Sequence, residues 1–134
     1  MTKKMPNLTT GFMIESAIKQ GKIQLFGGGK QKRTFTDIRY ICDIFMDAID
    51  NGHMENNIFN IGGEVYSLFD VARMISRRIP STIDEVPWPK EYELIETGDS
   101  VLNSEKLKSI TNIAYHYSIE EWINDQLNQG NALF

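Results

Sequence analysis

Three consecutive glycines, Gly27 to Gly29, stand between a short apolar run and a cationic cluster of Lys30, Lys32 and Arg33. Glycines let a backbone turn where a side chain would clash, and an arginine beside the turn can grip a phosphate with its planar fork. A strand, a glycine turn and an arginine thus make a cradle for a phosphorylated ligand. A solvated hairpin with a basic rim explains the same residues. Two sharper motifs fail on spacing. A P-loop needs Gly, four residues, then Gly-Lys followed by Ser or Thr, whereas Gly29-Lys30 is followed by Gln31. The dinucleotide fingerprint needs its glycines between a strand and a helix, and here the sequence after the glycines leans towards a strand.

Other reactive side chains are scattered. His53 falls in a polar loop and His116 between Tyr115 and Tyr117, with no spacing that suits a metal or a catalytic pair. Glu93, Glu96 and Asp99 crowd one segment, which a solvated loop explains as well as acid–base work does. No serine or threonine sits in a nucleophile context. The single cysteine, Cys42, falls on the apolar side of a predicted helix, so a buried, inert thiol is expected.

The elements that must position these residues follow from periodicity. Met13, Ile14, Ala17 and Ile18 give a helix capped at Thr9 or Thr10 and stopped at Gly21. Ile23 and Leu25 on one face, with Gln24 and Phe26 on the other, give a strand, and a second follows around Phe35. Asp37 caps a helix whose apolar residues Ile41, Cys42, Phe45, Ala48 and Ile49 recur at helical spacing up to Asn51-Gly52. Asn57 to Ile61 reads as a short strand before the Gly62-Gly63 turn. Ser67 and Asp70 form a capping box for a helix that Pro80 stops, and Thr82 to Val86 is a strand ended by Pro87. Ser104 or Asn103 starts a short helix, and Ser118 with Glu121 caps the last. The order is that of an α/β or α+β chain.

At 134 residues the chain is one domain, able to bury roughly two-thirds of its unfolded surface. Its 41% hydrophobic and 24% charged residues are ordinary for a soluble globular protein. The net charge of −4, with both signs mixed, gives no reason to expect nucleic acid. No apolar run reaches membrane-spanning length, and the opening residues lack the apolar core of a signal peptide. A reducing cytoplasm is the expected compartment.

Taken together, the stretches have an order: Ile23-Gln24-Leu25-Phe26-Gly27, then Gln31-x-Arg33-x-Phe35 and a helix. Phe59-Asn60-Ile61-Gly62-Gly63, Tyr66-Ser67, Val86-Pro87-Trp88, Gly98-Asp99 and Ser104-x-Lys106 follow. This order resembles the C-terminal part of the NAD-dependent epimerase/dehydratase family, the extended short-chain dehydrogenase/reductases typified by UDP-glucose 4-epimerase. The match runs from about Leu8 to Leu127. The resemblance implies a substrate-binding domain without the N-terminal dinucleotide-binding (Rossmann) domain. The family's glycine fingerprint and its Tyr-x-x-x-Lys pair are not in this sequence. Hence no catalytic, cofactor-binding or metal-binding residue is expected in this chain, and NAD or NADP would belong to the parent enzyme.

The same resemblance implies that Arg33 binds the diphosphate of a nucleotide sugar and that Gln24 and Phe26 lie against the base. Asp99 would approach the ribose. Glu96 stands where a second phosphate-binding arginine often lies, and Thr34 and Arg39-Tyr40 replace the aspartates that usually follow the Arg33 position. The whole enzyme would oxidise the sugar at C4 by hydride transfer to nicotinamide and return the hydride, this portion supplying the pocket. A stand-alone, non-catalytic module that binds nucleotide sugar or another chain is the rival reading. With the cofactor domain missing, Phe45, Ile58, Phe59 and Ile61 would border an exposed apolar patch. Residues 57–61 would then pair with a second copy as a homodimer, or fray.

Overall fold

The computed structural model describes residues 9–129. Helix α1 (Thr9–Gln20) leads through Gly21 into strand β1 (Lys22–Phe26), and a single turn of 3₁₀ helix at Gly27–Gly29 connects to β2 (Lys32–Phe35). Helix α2 (Ile38–Asn51), a long irregular stretch, β3 (Glu64–Ser67), α3 (Leu68–Arg78) and β4 (Thr82–Val86) follow. Three helices complete the described residues: α4 (Lys90–Glu93), α5 (Glu105–Lys108) and α6 (Ile119–Asn128).

The strands form two small sheets rather than one. β1 runs parallel to β4, Ile23 opposite Ile83 and Phe26 opposite Val86. A parallel pair needs a crossover, and α2 and α3 lie within it. β2 and β3 pair antiparallel, Arg33 opposite Tyr66 and Phe35 opposite Glu64. The main core gathers Met13, Ile14 and Ala17 of α1, Ile23 and Leu25 of β1, Val71, Ala72 and Ile75 of α3, and Ile119 and Ile123 of α6. A second cluster holds Tyr40 and Ile44 of α2 with Leu107 of α5, backed by Phe59, Ile61, Ile113 and Tyr115.

Local signals set the helix starts. Ser67 Oγ accepts from the Asp70 amide at 3.1 Å while the Asp70 carboxylate accepts from the Ser67 amide, so two otherwise orphaned donors are satisfied reciprocally. Asp37 Oδ1 accepts from the Arg39 amide at 2.8 Å and opens α2. Ser118 Oγ accepts from the amides of Glu120 and Glu121, opening α6.

Two expectations fail. Asn57 to Ile61 is not a strand; the strand comes just after the two glycines, at Glu64–Ser67, where β2 offers a free edge. The 57–61 segment has no such edge within the described residues. Instead Phe59 and Ile61 pack half-buried on the second cluster, Lys106 Nζ donates to the Ile58 carbonyl at 3.1 Å, and Ile58 is 87% exposed. The homodimer expected from that segment therefore lacks its strand edge. Cys42 is exposed, not buried. Helix α2 turns Tyr40 and Ile44 inward, and this sends Ile38, Cys42, Phe45 and Ile49 to the outer face.

That outer stripe is exposed apolar surface: Ile38, Phe45, Met46 and Ile49 are each more than half exposed. Because these side chains are mostly exposed, the double substitution Phe45→Glu, Ile49→Lys is expected to change unfolding free energy by less than about 0.5 kcal/mol. It should also lower any self-association seen by light scattering, since a contiguous apolar patch drives it. A large loss of stability would mean the stripe is packed.

Candidate functional site

Strand β1 alternates, burying Ile23 and Leu25 and turning Gln24 and Phe26 outward. Phe26 ends the strand against Trp88, ring centroids 5.1 Å apart, with Tyr92 at 6.4 Å on α4. Gly27 makes this contact geometrically feasible. It sits at φ +57°, and a Cβ there would lie 2.6 Å from Trp88 Nε1. The glycine turn is thus needed where the aromatic group closes over the end of β1.

From Trp88 the chain passes through α4 and returns alongside β2. The Ser100 amide donates to the Lys32 carbonyl at 2.9 Å, and the Thr34 amide donates to the Ser100 carbonyl at 3.2 Å. The Lys32 amide donates to Asp99 Oδ1 at 2.8 Å. Arg33 fastens the same loop. Its Nη1 donates to the carbonyls of Lys32 and Gly98, and its Nη2 donates to Glu96 Oε1 at 2.9 Å. The Gly98 amide donates to that same oxygen, also at 2.9 Å.

Arg33 and Asp99 are therefore brought together by β2 and the 96–100 loop. Gln24 and Phe26 stand on β1, linked to them through the glycine turn on one side and the 88–99 segment on the other. Sequence reasoning missed two members of this group. Tyr92 gave no signal beyond its type. Glu96 was noted as one of three crowded carboxylates and as a replacement for an arginine, but not as what it is, the ion-pair partner of Arg33. At 28% and 23% side-chain exposure, the pair lies in the regime where an ion pair contributes about 0–1 kcal/mol.

A hollow on the described surface lies elsewhere, at the other end of β2. A cleft of about 450 Å³ is walled by Phe35, Ile38, Tyr115, Ile119 and Trp122. Asp37 and Arg39 sit at its edge as a fork-to-fork pair, with bonds of 2.9 and 2.8 Å, and Arg39 lies 4.5 Å from the centre of the Tyr117 ring. The Arg39 hydrogen bond holds the Asp37 carboxyl below the usual carboxylate range. Burial pushes the Tyr115 hydroxyl up; that oxygen accepts from the Asp37 amide at 3.2 Å. These groups satisfy one another, and the cleft shows no reactive pair. The Arg33 group has the better chemistry for a phosphorylated ligand, a cation fork and a backbone amide that meet at one anionic oxygen.

The remaining candidates do not gather. His116 stacks on Tyr117 with its Nδ1 3.0 Å from the Ala114 carbonyl, and His53 stands in the loop after α2. Among the described residues no three His, Cys, Asp or Glu side chains form a metal-binding group. Among them, too, no helix is long and apolar enough to cross a membrane.

No family model matches the chain, and no curated protein matches it in sequence. Solved structures do match it in fold. A dTDP-glucose 4,6-dehydratase from Bacillus anthracis, in complex with NAD, superimposes with a TM-score of 0.75 at 20% identity, over 92% of this chain and 39% of its own. An epimerase from Methanothermobacter thermautotrophicus gives a TM-score of 0.73 at 14% identity, over 91% of this chain and 38% of its own. A GalE-like L-threonine dehydrogenase from Cupriavidus necator gives 0.71 at 13% identity, over 95% of this chain and 48% of its own. The chain thus spans two-fifths to one-half of the length of these three structures. It has the α/β fold of one portion of the NAD-dependent epimerase/dehydratase enzymes, and the resemblance seen in the sequence holds at the level of fold.

Proposed function

We propose that this chain is the substrate-binding portion of an NAD(P)-dependent nucleotide-sugar epimerase or dehydratase, similar to UDP-glucose 4-epimerase. One observation carries the reading. The Arg33 fork and the Gly98 amide converge on one anionic oxygen, that of Glu96, and Asp99 accepts from the Lys32 amide beside them. In this reading the fork and amide take the diphosphate, since charge-assisted bonds are about twice as strong as neutral ones. Gln24 and Phe26 lie along the base, and Asp99 approaches the ribose.

The described residues do not fit the nicotinamide cofactor. The glycine turn leads into strand β2, not into a helix N-terminus that could hold a pyrophosphate, and no tyrosine is followed four residues later by a lysine. NAD or NADP therefore belongs to the rest of the enzyme in this reading. The chain's own role is to bind and orient, and by itself it is expected to turn over no nucleotide sugar.

A second reading has an observation in its favour. The threonine dehydrogenase shares the fold, and Glu96 already neutralises Arg33. A substrate without a diphosphate, such as an amino acid, would suit a site whose cation is paired internally. Amide NMR spectra separate the two. UDP-glucose or dTDP-glucose is expected to shift the signals of Gln24, Phe26, Arg33 and Asp99, while L-threonine leaves them in place. The opposite pattern favours the second reading. Binding at neither class would return the chain to a module that serves another protein partner.

A further inference from the structure

The Arg33 fork is set in place independently of its acidic partner. Both carbonyls that hold Nη1, those of Lys32 and Gly98, are main-chain groups, so the guanidinium keeps acceptors of its own when the Glu96 side chain turns away. What remains is a seat with two donors, Arg33 Nη2 and the Gly98 amide, each 2.9 Å from one oxygen, Glu96 Oε1. Two N–H groups converging on one anionic oxygen is the arrangement a phosphate oxygen takes.

The segment carrying Glu96 is free to release it. The two residues before it, Leu94 and Ile95, are 87% and 72% exposed, so no core packing fixes the side chain's approach. Gly98 has open space on its Cβ side at φ +73°. Arg33 and Glu96 both keep an edge towards solvent. Lys30 and Lys32 stand exposed on the same stretch, ready to meet further negative charge.

We propose that the Glu96 carboxylate is an internal stand-in for the ligand's phosphate, and that a diphosphate ligand seats on Arg33 and Gly98 by displacing it. Glu96 then sets a threshold: a dianionic diphosphate competes for the fork, whereas a neutral ligand does not. This rests on the nucleotide-sugar reading above and adds to it the residue that decides how tightly the diphosphate is held.

The test is calorimetric titration of the chain with UDP, and with uridine as the phosphate-free control, for the wild type and for Glu96→Gln. Glutamine keeps an oxygen for the Gly98 amide and removes the charge, and circular dichroism checks that the variant is folded. Displacement predicts that Glu96→Gln binds UDP at least about tenfold tighter, with uridine unchanged. UDP binding by the wild type that the substitution leaves unchanged overturns the displacement and keeps the nucleotide-sugar reading. An equal gain for uridine also overturns it, because the charge of the phosphate would then be irrelevant. No UDP binding by either folded protein overturns both.

Discussion

Gly63→Ala is expected to cost the chain about 3 kcal/mol or more and to open the β2–β3 ladder. A Cβ at residue 63 would sit 2.0 Å from the Phe35 carbonyl oxygen, 2.8 Å from its carbon and 3.0 Å from Thr36 Cα. All three are main-chain atoms, so no rotamer change can relieve the overlap. Either the Gly63 backbone or the end of β2 must move. β3 begins at the next residue, and its pairing of Glu64 with Phe35 would be the first lost. Gly21→Ala is the control. Nothing lies within 4 Å of a Cβ there, so only the positive φ of +64° opposes it, at about 1–2 kcal/mol. Denaturant unfolding of the two variants measures the difference. A Gly63→Ala protein as stable as the Gly21→Ala protein would mean that the two chain segments are not in contact. Because β2 carries Arg33, the loss should extend to ligand binding.

This close approach bears on what the sequence reveals. Features set by neighbours along the chain are legible: the Ser67–Asp70 box, the Asp37 cap, the alternation that turns Gln24 and Phe26 outward, and the Thr82–Val86 strand. Each depends on spacing within a few residues. Features set across long separations are not. Gly62-Gly63 reads as a turn ending a strand, whereas Gly63 marks where two backbones touch before a strand begins. Helix α2 has apolar residues on two faces, and periodicity alone cannot say that Tyr40 and Ile44, rather than Cys42 and Phe45, meet the core. Leu107 and Ile113, far along the chain, make that choice by supplying the second cluster. Arg33 is legible as a candidate through its glycines and its motif. Its capture by Glu96, 63 residues away, is not.

Arg33→Ala is expected to weaken binding of a nucleoside diphosphate sugar by roughly 2–4 kcal/mol, a loss of about thirtyfold to a thousandfold in affinity. The estimate follows from removing a part-buried, charge-assisted fork and leaving the Gly98 amide and the exposed lysines to face the diphosphate. From sequence alone Arg33 has no structural duty and folding should be little changed. The structure adds one, because Arg33 also ties the Lys32 and Gly98 carbonyls and Glu96 together. Some stability should therefore go with it, about 1–2 kcal/mol for part-exposed bonds of this kind, from the 96–100 loop rather than from the core. Arg33→Lys separates the two effects. Lysine restores the charge without the planar fork, so it should recover part of the binding and little of the loop anchoring. Calorimetry with UDP-glucose or dTDP-glucose reads the first effect, and thermal unfolding reads the second. Equal affinity in Arg33→Ala and wild type would leave Arg33 as a surface ion pair that fastens a loop. A full loss of binding with a wholly unfolded variant would place Arg33 in the folding core, which its 28% exposure argues against. The result that supports the site is a folded protein with a loosened 96–100 loop and a diphosphate affinity reduced well beyond that of Arg33→Lys.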